Sequence, residues 1–135
     1  MALIEWNKKL SVKIDSIDKQ HMVLVDMINE FQEKIKREER KEVIHELIDK
    51  MAKYAVSHFK TEEDYFQQYD YPDYVAHKAE HDAFIKKVVD LQERFKKGEF
   101  IMTLELGYFL KDWLINHIQG TDKKYVKFLK KNGVV

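Results

Sequence analysis

Several residue types are rare or absent in this chain of 135 residues. It contains no cysteine, which excludes a disulfide framework, a thiolate-bound iron–sulfur cluster, a C-x-x-C-H haem site and a thiolate zinc site. Its four glycines and single proline are few for this length. Turns should therefore be few and helices long, which favours an all-α fold. Any metal site would have to use His, Asp, Glu or Tyr side chains.

Net charge and long apolar runs are also lacking. The 24 basic side chains balance the 24 acidic ones, which argues against a basic nucleic-acid-binding module. No apolar run approaches the roughly 20 residues of a membrane span. Charges interrupt the N-terminal segment MALIEWNKKLSVKID, so no signal peptide is expected. We expect a single domain over residues 1–135 in the cytoplasm, with neither nucleic acid nor membrane as a partner.

Apolar residues recur at helical spacing in four segments. The first 17 residues lack this pattern but carry enough apolar side chains to form an ordered arm. Four helices of about 20 residues with short connections predict an up-down-up-down four-helix bundle, and KKYVKFLKK predicts a short C-terminal helix. The predicted helices run from Asp18 to about Lys36, from about Ile44 into the segment YFQQYDYPDY, from about His77 to Gly98, and from Thr103 to about Gly120.

Five of the six histidines fall on the apolar stripes of these helices when residues are spaced at about 100°. A single inward histidine is usually a hydrogen-bonded core residue. Five of them, together with an inward Glu62 and with Asp122 just past His117, would each need a separate polar partner, whereas a shared metal site satisfies all at once. His45 faces the other way and is predicted to be a solvated surface residue. The seven candidate ligands are His21, His58, Glu62, His77, His81, His117 and Asp122.

Seven ligands exceed the needs of one ion. Zinc would use four, and the H-E-x-x-H motif of zinc proteases is absent. Imidazole with carboxylate suits iron, although manganese, copper and nickel stay open. Two octahedral metals offer about 12 positions, and five imidazoles, two bridging carboxylates and one bridging oxygen leave one of these for a small ligand. A phenolate from the tyrosines near the second turn is an alternative ligand, although their crowding favours packing; these are Tyr65, Tyr69, Tyr71 and Tyr74.

The small number of carboxylates favours reversible binding over oxidation chemistry. Five neutral imidazoles leave a diferric centre positively charged, which favours reduced iron. Di-iron oxygenases and ferritin-like proteins use four carboxylates and two E-x-x-H pairs instead. This chain has one such pair, Glu42 to His45, and both of its residues are predicted to face away from the core.

The motifs that carry these ligands resemble those of the hemerythrins, specifically the single-domain bacterial kind, over nearly the whole chain. The motifs are D-K-Q-H ending at His21, H-F-K-T-E-E from His58, H-K-A-E-H from His77 and W-L-I-N-H-I-Q-G-T-D from Trp113. The resemblance implies two iron ions with an oxo or hydroxo bridge, and O2 as the ligand of the open position. It implies that His77, His81 and His117 hold one iron, that His21 and His58 hold the other, and that Glu62 and Asp122 bridge them.

The resemblance also implies an apolar O2 pocket, for which ordinary core packing is the alternative interpretation. The leading functional hypothesis is reversible O2 binding for storage, delivery or buffering, without catalysis, with an unidentified protein as the recipient of O2. Two alternatives stay open: an O2 sensor that acts through a separate partner, and a di-iron oxidase, peroxidase or nitric oxide reductase. The implied pocket residues are Phe59, Trp113, Leu114 and Ile118.

Overall fold

The computed structural model describes residues 3–38, 40–97 and 103–135, without the side chains of residues 103–105. These residues form the expected all-α bundle of four long helices with a short C-terminal helix, and they contain no strand. None of the described helices combines the length and apolarity needed to cross a membrane. The helices are α1 Asp15–Lys36, α2 Lys41–Gln68, α3 Tyr74–Lys96, α4 Thr103–Asn116 and α5 Lys123–Lys131.

Three of the helices start earlier than their apolar pattern indicates. Helix α1 begins at Asp15 and not at Asp18, and α2 and α3 each begin three residues before the first predicted apolar position. Apolar periodicity reports only the buried stripe, so polar residues that are compatible with a helix extend each end unseen. Helix α3 ends at Lys96, and the predicted stop at Gly98 lies outside the described residues.

The N-terminal arm is ordered against the bundle, as expected. Ile4 and Val12 are buried, and a 3-10 turn at Lys8–Leu10 shapes the segment. The Asp18 carboxylate accepts hydrogen bonds from the Ser11 hydroxyl at 2.6 Å and from the Val12 amide at 2.8 Å. These bonds fix the first turn of α1, where candidate ligand His21 follows.

The prediction that the fourth helix stops near Gly120 is wrong. The chain stays helical from Thr103 to Lys131, because a π-helical segment, His117–Asp122, joins α4 to α5 without a break. In an α-helix, residues five apart point about 140° away from each other. The wider π turn pairs i with i+5, so it brings the side chains of His117 and Asp122 to the same side, facing the bundle interior.

Candidate metal centre

All seven candidate ligands meet inside the bundle. Helix α1 supplies one, α2 two, α3 two and the π-helical segment two. Each of these side chains is at most 3% exposed. Burying so many imidazoles and carboxylates is unfavourable unless each finds a partner. The residues are His21, His58, Glu62, His77, His81, His117 and Asp122.

The ligand atoms form two groups that share both carboxylates. Within each group, one donor atom from every residue lies within 4.8 Å of all the others. We call them the three-histidine group and the two-histidine group. The first consists of Glu62, His77, His81, His117 and Asp122, and the second consists of His21, His58, Glu62 and Asp122.

Asp122 presents one oxygen to each group. Its Oδ1 lies 3.0 Å from Nε2 of both His77 and His117, while its Oδ2 lies 3.2 Å from Nε2 of His21. A carboxylate with its two oxygens directed at two sets of imidazoles has the arrangement of a ligand that bridges two ions.

Glu62 faces both groups through a single oxygen. Its Oε1 lies 3.2 Å from Nε2 of His81 and 3.4 Å from Nε2 of His58. Its other oxygen, Oε2, accepts a 2.5 Å hydrogen bond from the hydroxyl of Tyr125, which is fully buried on α5. Tyr125 therefore sets the rotation of the Glu62 carboxylate.

Hydrogen bonds at the outer nitrogen leave three of the imidazoles ready to bind a cation. In each case Nδ1 lies within hydrogen-bond distance of a side-chain oxygen on another helix, which favours the tautomer with the proton on Nδ1. The inner nitrogen, Nε2, then keeps its lone pair, as metal-ligating histidines require. The pairs are His58 with Gln20 at 2.6 Å, His81 with Glu63 at 2.8 Å and His117 with Glu80 at 2.9 Å.

The inner atoms lack partners that would satisfy them without a cation. Nε2 of His81 faces Nε2 of His117 at 3.1 Å, so when both imidazoles are neutral with the proton on Nδ1 two lone pairs point at each other, and only a proton or a metal ion between them relieves this. The inner nitrogen of His77 and both oxygens of Asp122 are buried without a hydrogen-bond partner among the described residues. A cation between these atoms would satisfy all of them, so the donor set fits metal ions.

The pKa values of the site residues show that its two buried carboxylates need positive charge nearby. Burial lowers the pKa of His117, but Asp122, Glu62 and Glu80 outweigh it and raise that pKa to about 9. Burial lowers the pKa of His58 to about 4, despite the opposing charge of Glu62. Burial raises the pKa of both central carboxyl groups, and repulsion by Asp122 raises that of Glu62 further, yet the surrounding histidines hold both below their ordinary values. The two carboxylates therefore stay ionised inside the core, and in the metal-free protein a proton on His117 supplies compensating positive charge. That proton must leave before Nε2 of His117 can bind a metal ion.

An apolar cavity adjoins the imidazoles. It encloses about 30 Å³, more than the roughly 10–15 Å³ that one water-sized molecule needs. Phe59, Trp113 and Leu114 line it. Phe59 stacks on the ring of His81 at 3.9 Å, and Trp113 stacks on the ring of His117 at 4.4 Å.

Ile118, the remaining pocket candidate, is fully buried but is not among the residues that line this cavity. The lining also includes Leu24, one turn beyond His21, and Ala55, one turn before His58. No member of either histidine group lines the cavity, but its lining residue Phe59 contacts the rings of both His58 and His81.

The structure corrects the interpretation of His45. Its side chain is 28% exposed and not fully solvated, because its ring stacks on Phe95 at 5.8 Å. Its Nδ1 lies 3.5 Å from Asp49, one turn later on α2. His45 belongs to neither histidine group.

The tyrosines near the second turn pack or hydrogen-bond within their own neighbourhood. Tyr71 contacts the rings of Phe66 at 4.8 Å and Phe128 at 5.2 Å. Burial raises the pKa of Tyr71 to about 12, which disfavours a phenolate ligand. The hydroxyl of Tyr74 accepts a hydrogen bond from Gln67.

Four residues that hydrogen-bond the ligand side chains were not predicted from the sequence, although each lies in or beside a ligand motif. Gln20, Glu63 and Glu80 are next to ligands in the sequence, but each contacts a histidine on another helix. Their partners depend on how the helices are rotated, which periodicity does not give. Tyr125 is three residues after Asp122, and this i, i+3 spacing on a continuous helix is the only signal that could have pointed to it.

Comparison with known proteins agrees with this geometry. The family model described as "Hemerythrin HHE cation binding domain" matches residues 12–129. The chain is 38% identical over 130 residues to the bacteriohemerythrin of Stenotrophomonas maltophilia, covering 96% of this chain and 84% of that protein. It is 37% identical over 126 residues to the bacteriohemerythrin of Methylococcus capsulatus, covering 93% and 95%. A wild-type hemerythrin crystal structure superposes with a TM-score of 0.88 at 35% identity, covering 93% and 97%. The chain therefore belongs to the hemerythrin family.

Proposed function

We propose that this protein binds O2 reversibly at a non-haem di-iron centre, for storage, delivery or buffering of oxygen. The observation that carries the proposal is the pair of buried histidine groups, which share Glu62 and Asp122 and adjoin an apolar cavity. When bound, the iron pair supplies the electrons that O2 takes up on binding and returns on release. The bacteriohemerythrin relatives support the same conclusion by family membership.

The two groups suggest which residues hold each ion. One iron would be held by His77, His81 and His117 and the other by His21 and His58, with Glu62 and Asp122 shared between the two groups. The second iron would have fewer protein ligands, because its group contributes one imidazole less. The open position for O2 therefore belongs to the two-histidine group.

The charge of the donor set favours binding over chemical conversion. The five imidazoles are neutral ligands, and two carboxylates supply the only negative charge among the seven assigned residues. A centre of this kind stabilises reduced iron and provides little charge compensation for highly oxidised iron. The protein residues therefore favour reversible binding over oxidation of a substrate.

The apolar cavity would protect the bound ligand from water. O2 is small and apolar, and a cavity lined by aliphatic and aromatic side chains admits it while offering water no hydrogen-bond partner. The shell around a metal site controls the access of solvent to it. Phe59, Trp113 and Leu114 are the residues that we assign to this role, and Ile118 would support them from its buried position.

Anaerobic reconstitution with Fe2+ tests the proposal. We expect about two irons per chain and a ligand-to-iron charge-transfer band that appears with O2 and disappears on deoxygenation over repeated cycles. His81→Ala should lower iron content, whereas the matched control His45→Ala should retain about two irons, because His45 lies outside both groups. About one iron per chain would contradict the di-iron assignment. Irreversible bleaching with product formation would favour the oxidase, peroxidase or nitric oxide reductase alternatives.

A further inference from the structure

The residues that support the histidines from outside differ in charge between the two groups. In the three-histidine group, His81 and His117 each direct Nδ1 at a carboxylate, Glu63 and Glu80 respectively. In the two-histidine group, His58 directs Nδ1 at the neutral amide oxygen of Gln20.

The remaining imidazole of the two-histidine group has no such support. Nδ1 of His21 is buried and has no hydrogen-bond partner among the described residues. One metal position therefore has two anionic supports, while the other has one neutral support and one unsatisfied nitrogen.

The structure holds these supports in place. The Thr121 hydroxyl lies 2.8 and 3.0 Å from the two carboxylate oxygens of Glu80 and donates to that group. The side-chain amide of Gln20 donates to the Thr61 hydroxyl at 3.3 Å, which directs its carbonyl oxygen toward His58. Gln20 is thereby fixed as a neutral acceptor.

A carboxylate that accepts the Nδ1 proton strengthens the imidazole as a ligand, because it makes Nε2 more basic and places negative charge near the cation. Loss of such a support typically weakens metal binding about 10- to 100-fold. Glu63 is 19% exposed and Glu80 is 46% exposed, so solvent screens Glu63 less. Glu63 should therefore have the larger effect.

We propose that Glu63 and Glu80 are positioning residues that make the two metal positions unequal, so that the three-histidine group binds the first ion tightly and the two-histidine group binds the second weakly. A chain with one ion is then a populated state during loading, and the second position is the one that exchanges metal. The inference rests on the proposed two-metal site, but it does not require that the site bind O2.

Anaerobic titration with Co2+ tests the order of loading. Co2+ accepts the same nitrogen and oxygen donors as Fe2+, and its visible absorption reports its coordination. We expect two resolved steps, the first at least tenfold tighter. His21→Ala should keep the tight step and lose the weak one, whereas His81→Ala should lose the tight step. Two equal steps, or loss of the tight step in His21→Ala, would overturn the proposal.

Neutral substitutions separate the role of the carboxylates from the number of histidines. Glu63→Gln should weaken the first step about tenfold, Glu80→Gln should weaken it less, and neither should change the second step. The matched controls are Asp64→Asn and Asp82→Asn. These remove the same charge from exposed positions that pair with Lys60 and Lys78, and they should leave both steps unchanged.

The reciprocal variant Gln20→Glu should strengthen the second step by a similar factor, because it gives His58 an anionic support. A purely structural role would not produce opposite changes at the two positions. Helical circular dichroism of each metal-free variant checks that it folds, and Glu63→Gln decides the outcome if Gln20→Glu does not fold. If the variants fold but all bind both ions with unchanged affinities, the proposal is wrong. A failure to cycle with O2 would refute the proposed function and leave the loading order intact.

Discussion

Replacing Tyr125 by phenylalanine removes one hydroxyl from the centre of the bundle. That hydroxyl donates a 2.5 Å hydrogen bond to Oε2 of Glu62, and both side chains are fully buried. Phenylalanine keeps the ring and its packing against Phe66 at 5.3 Å. Oε2 would lose this donor in a place that bulk water does not reach.

The expected loss of stability follows from the charge on Glu62. Hydrogen bonds to charged groups contribute about 1.5–3 kcal/mol, and an unsatisfied buried charge lies at the upper end of that range. We expect Tyr125→Phe to lower the free energy of unfolding of the metal-free protein by about 2–3 kcal/mol. With an unfolding entropy of about 2.1 cal/mol/K per residue, this corresponds to a decrease in Tm of about 7–11 °C.

The loss should be less than half as large in the metal-loaded protein, since cations then neutralise the Glu62 carboxylate. Thermal unfolding followed by circular dichroism in both forms measures the difference. Tyr74→Phe is the matched control, because its hydroxyl bonds Gln67 near the surface and water can replace the interaction; its effect should stay within about 0.5 kcal/mol. Equal losses with and without metal, or a loss below about 0.5 kcal/mol in the metal-free protein, would refute this reasoning.

Three further predictions concern the pocket, pH and the two helical glycines. Leu114→Ala and Leu114→Tyr should change the autoxidation rate more than the iron content, and unchanged autoxidation in both would refute the pocket assignment. Stability of the metal-free protein, measured by urea unfolding, should peak near pH 6.5. Between about pH 4 and 6.5 the free energy of unfolding rises with pH, because His58 has a pKa of about 4 in the folded chain and so binds fewer protons there than in the unfolded chain. Between about pH 6.5 and 9 it falls, because His117 has a pKa of about 9 in the folded chain and so binds more protons there. The slope should reach about 1.4 kcal/mol per pH unit on each side, and a peak above pH 8 would contradict these shifts. Gly107→Ala should gain less stability than Gly120→Ala, because its Cβ would meet Oε1 of Gln32 at 2.3 Å and that side-chain amide would have to move. Gly120→Ala, whose Cβ would meet nothing within 4 Å among the described residues, should stabilise by up to about 1 kcal/mol; urea unfolding that ranks the two the other way would contradict this.

Apolar periodicity was enough to predict the bundle and the inward direction of the ligand side chains on α1, α2 and α3. These helices are regular, so a spacing of about 100° per residue holds along them. His58 and Glu62, four residues apart on α2, illustrate this, because both point into the site.

A spacing of about 100° per residue gives the wrong side-chain direction where the chain is π-helical. Asp122 follows His117 by five residues, which an α-helix would direct elsewhere, and only the π-helical segment brings its Oδ1 within 3.0 Å of His117. Such segments are rare and are found mainly at functional sites. No propensity in H-I-Q-G-T-D indicates one, and Gly120 in the middle of it led to the wrong prediction of a helix end.

His45 was misjudged for a related reason. Periodicity directs its side chain away from the core of α2 itself, but it does not show that Phe95 of α3 covers it. Contacts between helices depend on their relative rotation and offset, which a single sequence does not specify.

The buried polar atoms without partners are concentrated in the proposed centre. Among the described residues, six of the eight such atoms belong to its ligands, and the other two are Gln32 Oε1 and His45 Nε2. Unsatisfied buried polar atoms lower stability, so the metal-free bundle carries its largest polar defect where cations would bind. Ions that bind the folded chain and not the unfolded one stabilise it in proportion to the logarithm of their concentration. Metal loading and folding are therefore coupled through the same few atoms, and the arm, the π-helical segment and Tyr125 all act to hold those atoms together before any metal arrives.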